Sequence, residues 1–238
     1  MKFAELIRQL HGKQALLAIL IDPDKFNAEL VKEANRSNTA CFLLGGSKLE
    51  RGSLQKTARQ IKTLSSKPLV LFPGDEKQLS PRADGLLLLS LLSGRNADYL
   101  IGKHILAAPI IRKMQLPYLS TAYLLIGTGS SSSTEKVTRT RPLDQNDRKR
   151  IVHTAMAAEQ LGFKAIYLEA GSGSKESLPA SLIRTIKKEV NLPLIVGGGI
   201  DSGKRVRAAI KAGANMVVVG NALEKNVHLL KELSACFG

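Results

Sequence analysis

Short apolar runs alternate along this chain with longer stretches in which apolar residues recur three and four apart. The runs Leu16–Ile21, Ala40–Leu44, Pro68–Phe72, Gly85–Leu89, Tyr118–Leu125, Ala165–Glu169, Pro193–Val196 and Met216–Gly220 read as eight buried strands. Helical spacing marks Ala28–Ser37, Leu54–Leu64, Asn96–Met114, Asp144–Leu161, Leu178–Glu189, Lys204–Ala212 and Ala222–Leu233, and a short amphipathic helix is expected within Met1–Leu10. Strands separated by helix-length segments imply parallel pairing with right-handed crossovers, and eight such units predict an α/β chain folded as a single (β/α)8 TIM barrel. One interval breaks the rule. Only twelve residues, including Pro73, Gly74 and Pro81, separate Phe72 from Gly85, too few for a comfortable crossover helix. The third helix is therefore expected to be reduced or replaced by an irregular segment.

The length of 238 residues is close to the roughly 250 typical of one such barrel, so residues 1–238 are read as one domain. The Ser-rich stretch Thr128–Thr134 reads as a flexible linker rather than a lid. No apolar run approaches the length of a membrane span, no secretory leader is evident, and Cys41 and Cys236 show no paired spacing, which together predict a cytoplasmic protein. Composition changes this picture in one respect. A net charge of +15 draws anions such as nucleic acid, acidic lipid surfaces or phosphorylated substrates. The basic residues are scattered, however, and with 4% aromatics and no Trp there is no stacking platform, so nucleic acid is not an expected partner. The four histidines, at 11, 104, 153 and 228, lack metal-ligand spacing.

Candidate chemistry gathers at strand ends. Tyr167-Leu168-Glu169-Ala170-Gly171-Ser172-Gly173, Gly197-Gly198-Gly199-Ile200 and Gly220-Asn221 each close an apolar run and precede a helical segment. Glycines there let backbone N–H groups approach a ligand, and barrels commonly bind phosphate after their last two strands. Glu169 ends the sixth expected strand and is a candidate general base, with a salt-bridged structural carboxylate as the alternative. Asp22 ends the first strand and Ser47 follows the second in Gly45-Gly46-Ser47. Together they offer a carboxylate and a hydroxyl for Mg2+ bound partly by substrate phosphates. Asp24 is expected to be the turn or cap former of the Asp22-Pro23-Asp24 segment. Asn96–His104 follows the fourth strand, and its Tyr99 and aliphatics are either core packing or the wall of a lipid groove.

These residues together resemble the geranylgeranylglyceryl phosphate synthases and their heptaprenyl relatives. The resemblance covers nearly the whole chain and rests on Asp22-Pro23, Gly45-Gly46-Ser47, Asn96–His104 and the three glycine segments. Leu20 stands where the Bacillus-type branch has a lysine, which makes the chain look like the archaeal-type branch. The family's barrel also has an irregular segment in place of its third helix. The resemblance implies Mg2+-dependent transfer of a polyprenyl group, of geranylgeranyl length, from its diphosphate to the C3 hydroxyl of sn-glycerol 1-phosphate. It assigns Mg2+ to Asp22 and Ser47, and the glycerol phosphate to residues 167–173, Gly198, Gly199, Gly220 and Asn221. Glu169 is then the catalytic base and Tyr167 its companion at the glycerol backbone. It further implies a homo-oligomer and peripheral contact with the inner membrane face. The residues alone leave open a different phosphate-binding barrel enzyme, of the phosphosugar isomerase or aldolase type, or a basic lipid- or nucleic-acid-binding protein without catalysis.

Overall fold

The computed structural model describes residues 2–127 and 132–237, so Met1, residues 128–131 of the Ser-rich stretch and Gly238 lie outside the described residues. The strands are β1 (Leu16–Ile21), β2 (Thr39–Leu44), β3 (Leu69–Leu71), β4 (Gly85–Leu91), β5 (Tyr118–Gly127), β6 (Leu143–Asp144), β7 (Ala165–Glu169), β8 (Leu194–Gly197) and β9 (Met216–Val219). All but β6 form a closed parallel TIM barrel in which β4 pairs with β5, β5 with β7, and β9 returns to β1. The two-residue β6 pairs with the end of β5 beside the ring.

Alternation along each strand sorts side chains into two shells. Inside the barrel lie Ala18, Cys41, Leu43, Val70, Leu87, Tyr123, Tyr167, Ile195 and Val218. Outside it, Leu17, Ile19, Phe42, Leu44, Leu124, Leu168 and Val217 meet the surrounding helices. Helix α1 (Phe3–Leu10) buries Phe3, Leu6 and Leu10 in the inner shell. It therefore plugs the barrel. The Phe3 ring lies so close to Gly85 that a Cβ there would overlap it.

Around the ring run α2 (Ala28–Asn35), α3 (Leu54–Leu64), α4 (Lys103–Met114), α5 (Ser133–Thr138), α6 (Arg148–Gln160), α7 (Ala180–Glu189), α8 (Gly203–Lys211), α9 (Asn221–Lys225) and α10 (Leu229–Ser234). Among the described residues no helix is long and apolar enough to cross a membrane. Residues 72–84 contain no helix, as the short interval predicts. Three differences stand out. The expected 96–114 helix opens as a π-helical turn over Asp98–Gly102 before α4 begins. The expected 222–233 helix is broken, because Asn226 Oδ1 accepts the His228 N–H at 3.1 Å and closes an Asx turn. The last three residues of the expected linker, Ser132–Thr134, instead start α5. Ser132 Oγ accepts the Glu135 N–H at 3.1 Å as an N-cap.

Candidate active site

Ala165, Tyr167 and Glu169 share the inward parity of β7, which carries the Glu169 carboxyl to the inner rim of the barrel mouth. Glu169 is only 5% exposed. Its carboxyl accepts the Gly171 N–H at 2.8 Å and the Tyr167 hydroxyl, and no cation pairs with it among the described residues. The salt-bridge alternative therefore fails. Burial outweighs both hydrogen bonds and raises its pKa to about 7. Tyr167 is fully buried beneath it, stacked on Tyr123 with ring centroids 5.2 Å apart and tilted against Phe72 at 4.9 Å.

Glycine is required opposite this acid. Gly198 has φ +84°, and a Cβ there would run into Glu169 Oε1 and the Ala170 backbone. Beside Glu169 opens a cavity of about 380 Å³, walled by Ser172, Gly173, Gly198, Gly199, Gly220 and Asn221. Arg205 Nη1 donates to the Gly199 carbonyl at 2.7 Å and pairs with Asp201 at 3.0 Å, which holds the Gly199 peptide from outside. Leu168 and Ala170, also expected at the substrate, turn their side chains into the outer shell and leave only backbone for a ligand. Gly171 spends its N–H on Glu169. Strand-end reasoning missed Lys175 and Lys225 at this cavity, since both lie beyond the glycine segments that define it.

Across the aromatic trio lies an apolar groove lined by Phe72, Leu86, Leu88, Tyr99, Ala107 and Tyr123. It occupies the slot that a third crossover helix would fill. Tyr99 both lines this groove and packs against the inner hydrophobic shell, so its two expected settings coincide. Lys103 closes one side, bonded to Asp75 at 2.9 Å and Glu76 at 2.7 Å and lying 5.2 Å from the Tyr99 ring centroid. His104, also at the groove, is held toward its neutral form by burial.

The sequence assigns the turn-forming role to Asp24 rather than Asp22, and the structure reverses this. Asp22 caps the short 3-10 turn Pro23–Lys25, its Oδ1 accepting the Asp24 N–H at 2.9 Å. The Asp24 carboxylate instead takes backbone N–H groups from Glu50 at 2.8 Å, Arg51 at 3.0 Å, and Gly52. These three donors hold its pKa below the usual range. Asp22 keeps one carboxylate oxygen without a hydrogen bond among the described residues, and half-burial raises its pKa. It lies beside Gly46, where an added Cβ would stand 3.4 Å from Asp22 Oδ1, and so beside the loop that carries Ser47. Among the described residues no three His, Cys, Asp or Glu side chains converge as a metal cage. One carboxylate oxygen and one hydroxyl fit a Mg2+ that takes its remaining ligands from phosphate and water.

A buried acid thus stands between a glycine-walled cavity and an apolar groove at the mouth of a TIM barrel, the face on which barrel enzymes carry their active sites. The chain belongs to the PcrB family, whose sequence profile matches residues 10–236. It is 44% identical over 228 residues to the geranylgeranylglyceryl phosphate synthase of Flavobacterium johnsoniae, an alignment covering 94% of each chain. The identity to the Pyrococcus furiosus geranylgeranylglyceryl phosphate synthase is 34% over 232 residues, covering 94% of this chain and 92% of that one. The fold matches the (S)-3-O-geranylgeranylglyceryl phosphate synthase of Thermoplasma acidophilum, in complex with its substrate sn-glycerol-1-phosphate, with a TM-score of 0.91. That match, at 28% identity, covers 100% of this chain and 97% of the other.

Proposed function

We propose that this chain transfers a geranylgeranyl group from its diphosphate to the C3 hydroxyl of sn-glycerol 1-phosphate. The observation that carries the reading is the placement of Glu169. Tyr167 lines the glycine-walled cavity, Phe72 and Tyr123 line the apolar groove, and their rings touch, so the two compartments meet beside one buried acid. In this reading the backbone of Gly173, Gly198, Gly199 and Gly220 cradles the phosphate, with Ser172 and Asn221 beside it. Residues 167–173 form the wall against the glycerol. The groove takes the prenyl tail, each buried methylene contributing about 0.8 kcal/mol.

The allylic C–O bond breaks with its electron pair leaving on diphosphate. The glycerol oxygen attacks the allylic carbon, and Glu169 receives the hydroxyl proton. Tyr167 holds Glu169 in place through its hydroxyl. Asp22 and Ser47 are the residues that would hold Mg2+, which when bound supplies positive charge to the leaving diphosphate. Ile101 in the π-helical turn and Ile105 in α4 are 57% and 65% exposed. This face supports peripheral contact with an anionic membrane or burial in a homo-oligomer. Sedimentation with and without anionic vesicles separates the two.

The test is direct. Purified protein with labelled sn-glycerol 1-phosphate and a series of prenyl diphosphates, with Mg2+ or chelator, should form ether product only with the metal and best with the C20 donor. Absence of product with every donor would overturn the reading.

A further inference from the structure

The segment 72–84 does more than fill the interval left by a missing helix. β2 and β3 run in register to Leu44 and Leu71, and the Phe72 N–H still donates to the Leu44 carbonyl at 2.8 Å. Two residues beyond Leu44 the Gln78 side chain takes over the ladder. Its Nε2 donates to the Gly46 carbonyl at 2.9 Å, and its Oε1 accepts the N–H groups of Gly46 and Gly74, each at 3.3 Å. A side-chain amide thus pairs with the Gly46 backbone as a neighbouring strand would. Gln78 is only 2% exposed, so these bonds are shielded from competing water. Gly74 fits against the same place, where a Cβ would strike the Gly46 carbonyl and Ser47. Farther along the same loop, Asp24 holds Glu50, Arg51 and Gly52. The residue between these two anchors that faces the groove with a hydroxyl is Ser47, whose Oγ lies 3.4 Å from Thr134 Oγ1.

We infer that Gln78 is a positioning residue: by pinning the Gly46 peptide it sets Ser47 at the groove mouth, on the diphosphate side of the reaction. This rests on the function proposed above. It predicts a division of labour. Gln78 serves the prenyl diphosphate and the metal, while the glycerol phosphate is bound at β7, β8 and β9 without it.

Gln78→Met keeps the length and removes all three hydrogen bonds. Gln78→Glu keeps an acceptor for Gly46 and Gly74 but sets a carboxylate against the Gly46 carbonyl. Both variants should raise KM for the prenyl diphosphate and the half-saturating Mg2+ by about tenfold or more, given what buried hydrogen bonds contribute. KM for glycerol 1-phosphate should stay within about twofold. A side chain that only stabilises the fold would lower the melting temperature and leave both KM values of the folded fraction unchanged, and that result overturns the inference. A readout independent of turnover keeps the two readings apart. Amide exchange at Gly46 and Ser47 should accelerate in Gln78→Met, while exchange at Tyr167 and Val218 stays slow. Unchanged exchange at Gly46 would sink the role of Gln78, whereas a wild-type protein without prenyl transfer would sink the proposed function alone.

Discussion

A buried carboxyl with a pKa near 7 changes charge within the pH range where most enzymes work, and Glu169 does so with two hydrogen-bond donors and, among the described residues, no cation beside it. Its rise from 4.5 to about 7 is a net disfavouring of the charged form by roughly 3 kcal/mol, burial having outweighed both hydrogen bonds. The sign follows from the unfolded chain ionising first. The contribution of Glu169 to stability is therefore greatest below pH 4.5, falls as pH rises to about 7, and is level above it. Glu169→Gln should abolish that slope and melt above wild type at pH 8. It should also lose on the order of 10²–10⁴ in turnover. In wild type, kcat/KM should climb to a plateau through about pH 7. A flat pH profile, or a variant that melts lower yet works normally, would contradict this account. The glycines divide in the same manner. At Gly220 an added Cβ would meet nothing nearer than Leu20 at 3.4 Å, so Gly220→Val should raise KM for glycerol 1-phosphate with little change in melting temperature. Gly198→Val should lose both, because positive φ and the Glu169 oxygen oppose it. Equal melting losses in the two variants would refute the distinction. Glu169 was legible in the sequence because it ends an apolar run before glycines. Gln78 and Asp24 were not, because the loop residues they hold lie 32 residues away from Gln78 and 26 or more from Asp24.

At the scale of elements, β1 and β7 coincide with the expected Leu16–Ile21 and Ala165–Glu169, since Asp22 and the Ala170–Gly173 turn end both runs sharply. Helix α5 escaped because its capping Ser132 stands among other serines, where composition hides a single Ser-x-x-Glu pattern. The π-helical opening over Asp98–Gly102 leaves no mark in apolar spacing at all. Helix α1 was expected from its alternating charge, but its place beneath the barrel was not, because amphipathic spacing says that a face is buried and not against what. Phe3→Ala measures that placement. It should cost about 3 kcal/mol, the low end for a buried aromatic, and leave both KM values unaltered because the plug lies far from the mouth. Thermal melts and steady-state kinetics on one preparation give both quantities. A variant with normal stability would mean that Phe3 is not seated in the barrel.

For the whole molecule, the +15 charge acts on encounter more than on chemistry. Both proposed substrates are anions. Raising ionic strength tenfold at constant Mg2+ should therefore raise both KM values several-fold and change kcat little, since screening shortens the reach of the field to about 3 Å at molar salt. Salt-insensitive KM values would assign the excess charge to some other task. The eightfold repeat that predicts the ring was legible as a count of runs, but its closing pair was not, because Leu16 and Met216 sit at opposite ends of the sequence. That seam bears on how the chain is made. On a ribosome β1 emerges first, and one edge of it stays unpaired until β9 has been translated. Throughout that interval Leu16–Ile21, six residues without a charge, offers bare peptide groups to any other extended chain nearby. The nascent protein is an open sheet, and β1 is one of its two unpaired borders. The time until the last strand is delivered is then the time for which the first needs shielding, and the strength of the finished ring has no bearing on that interval.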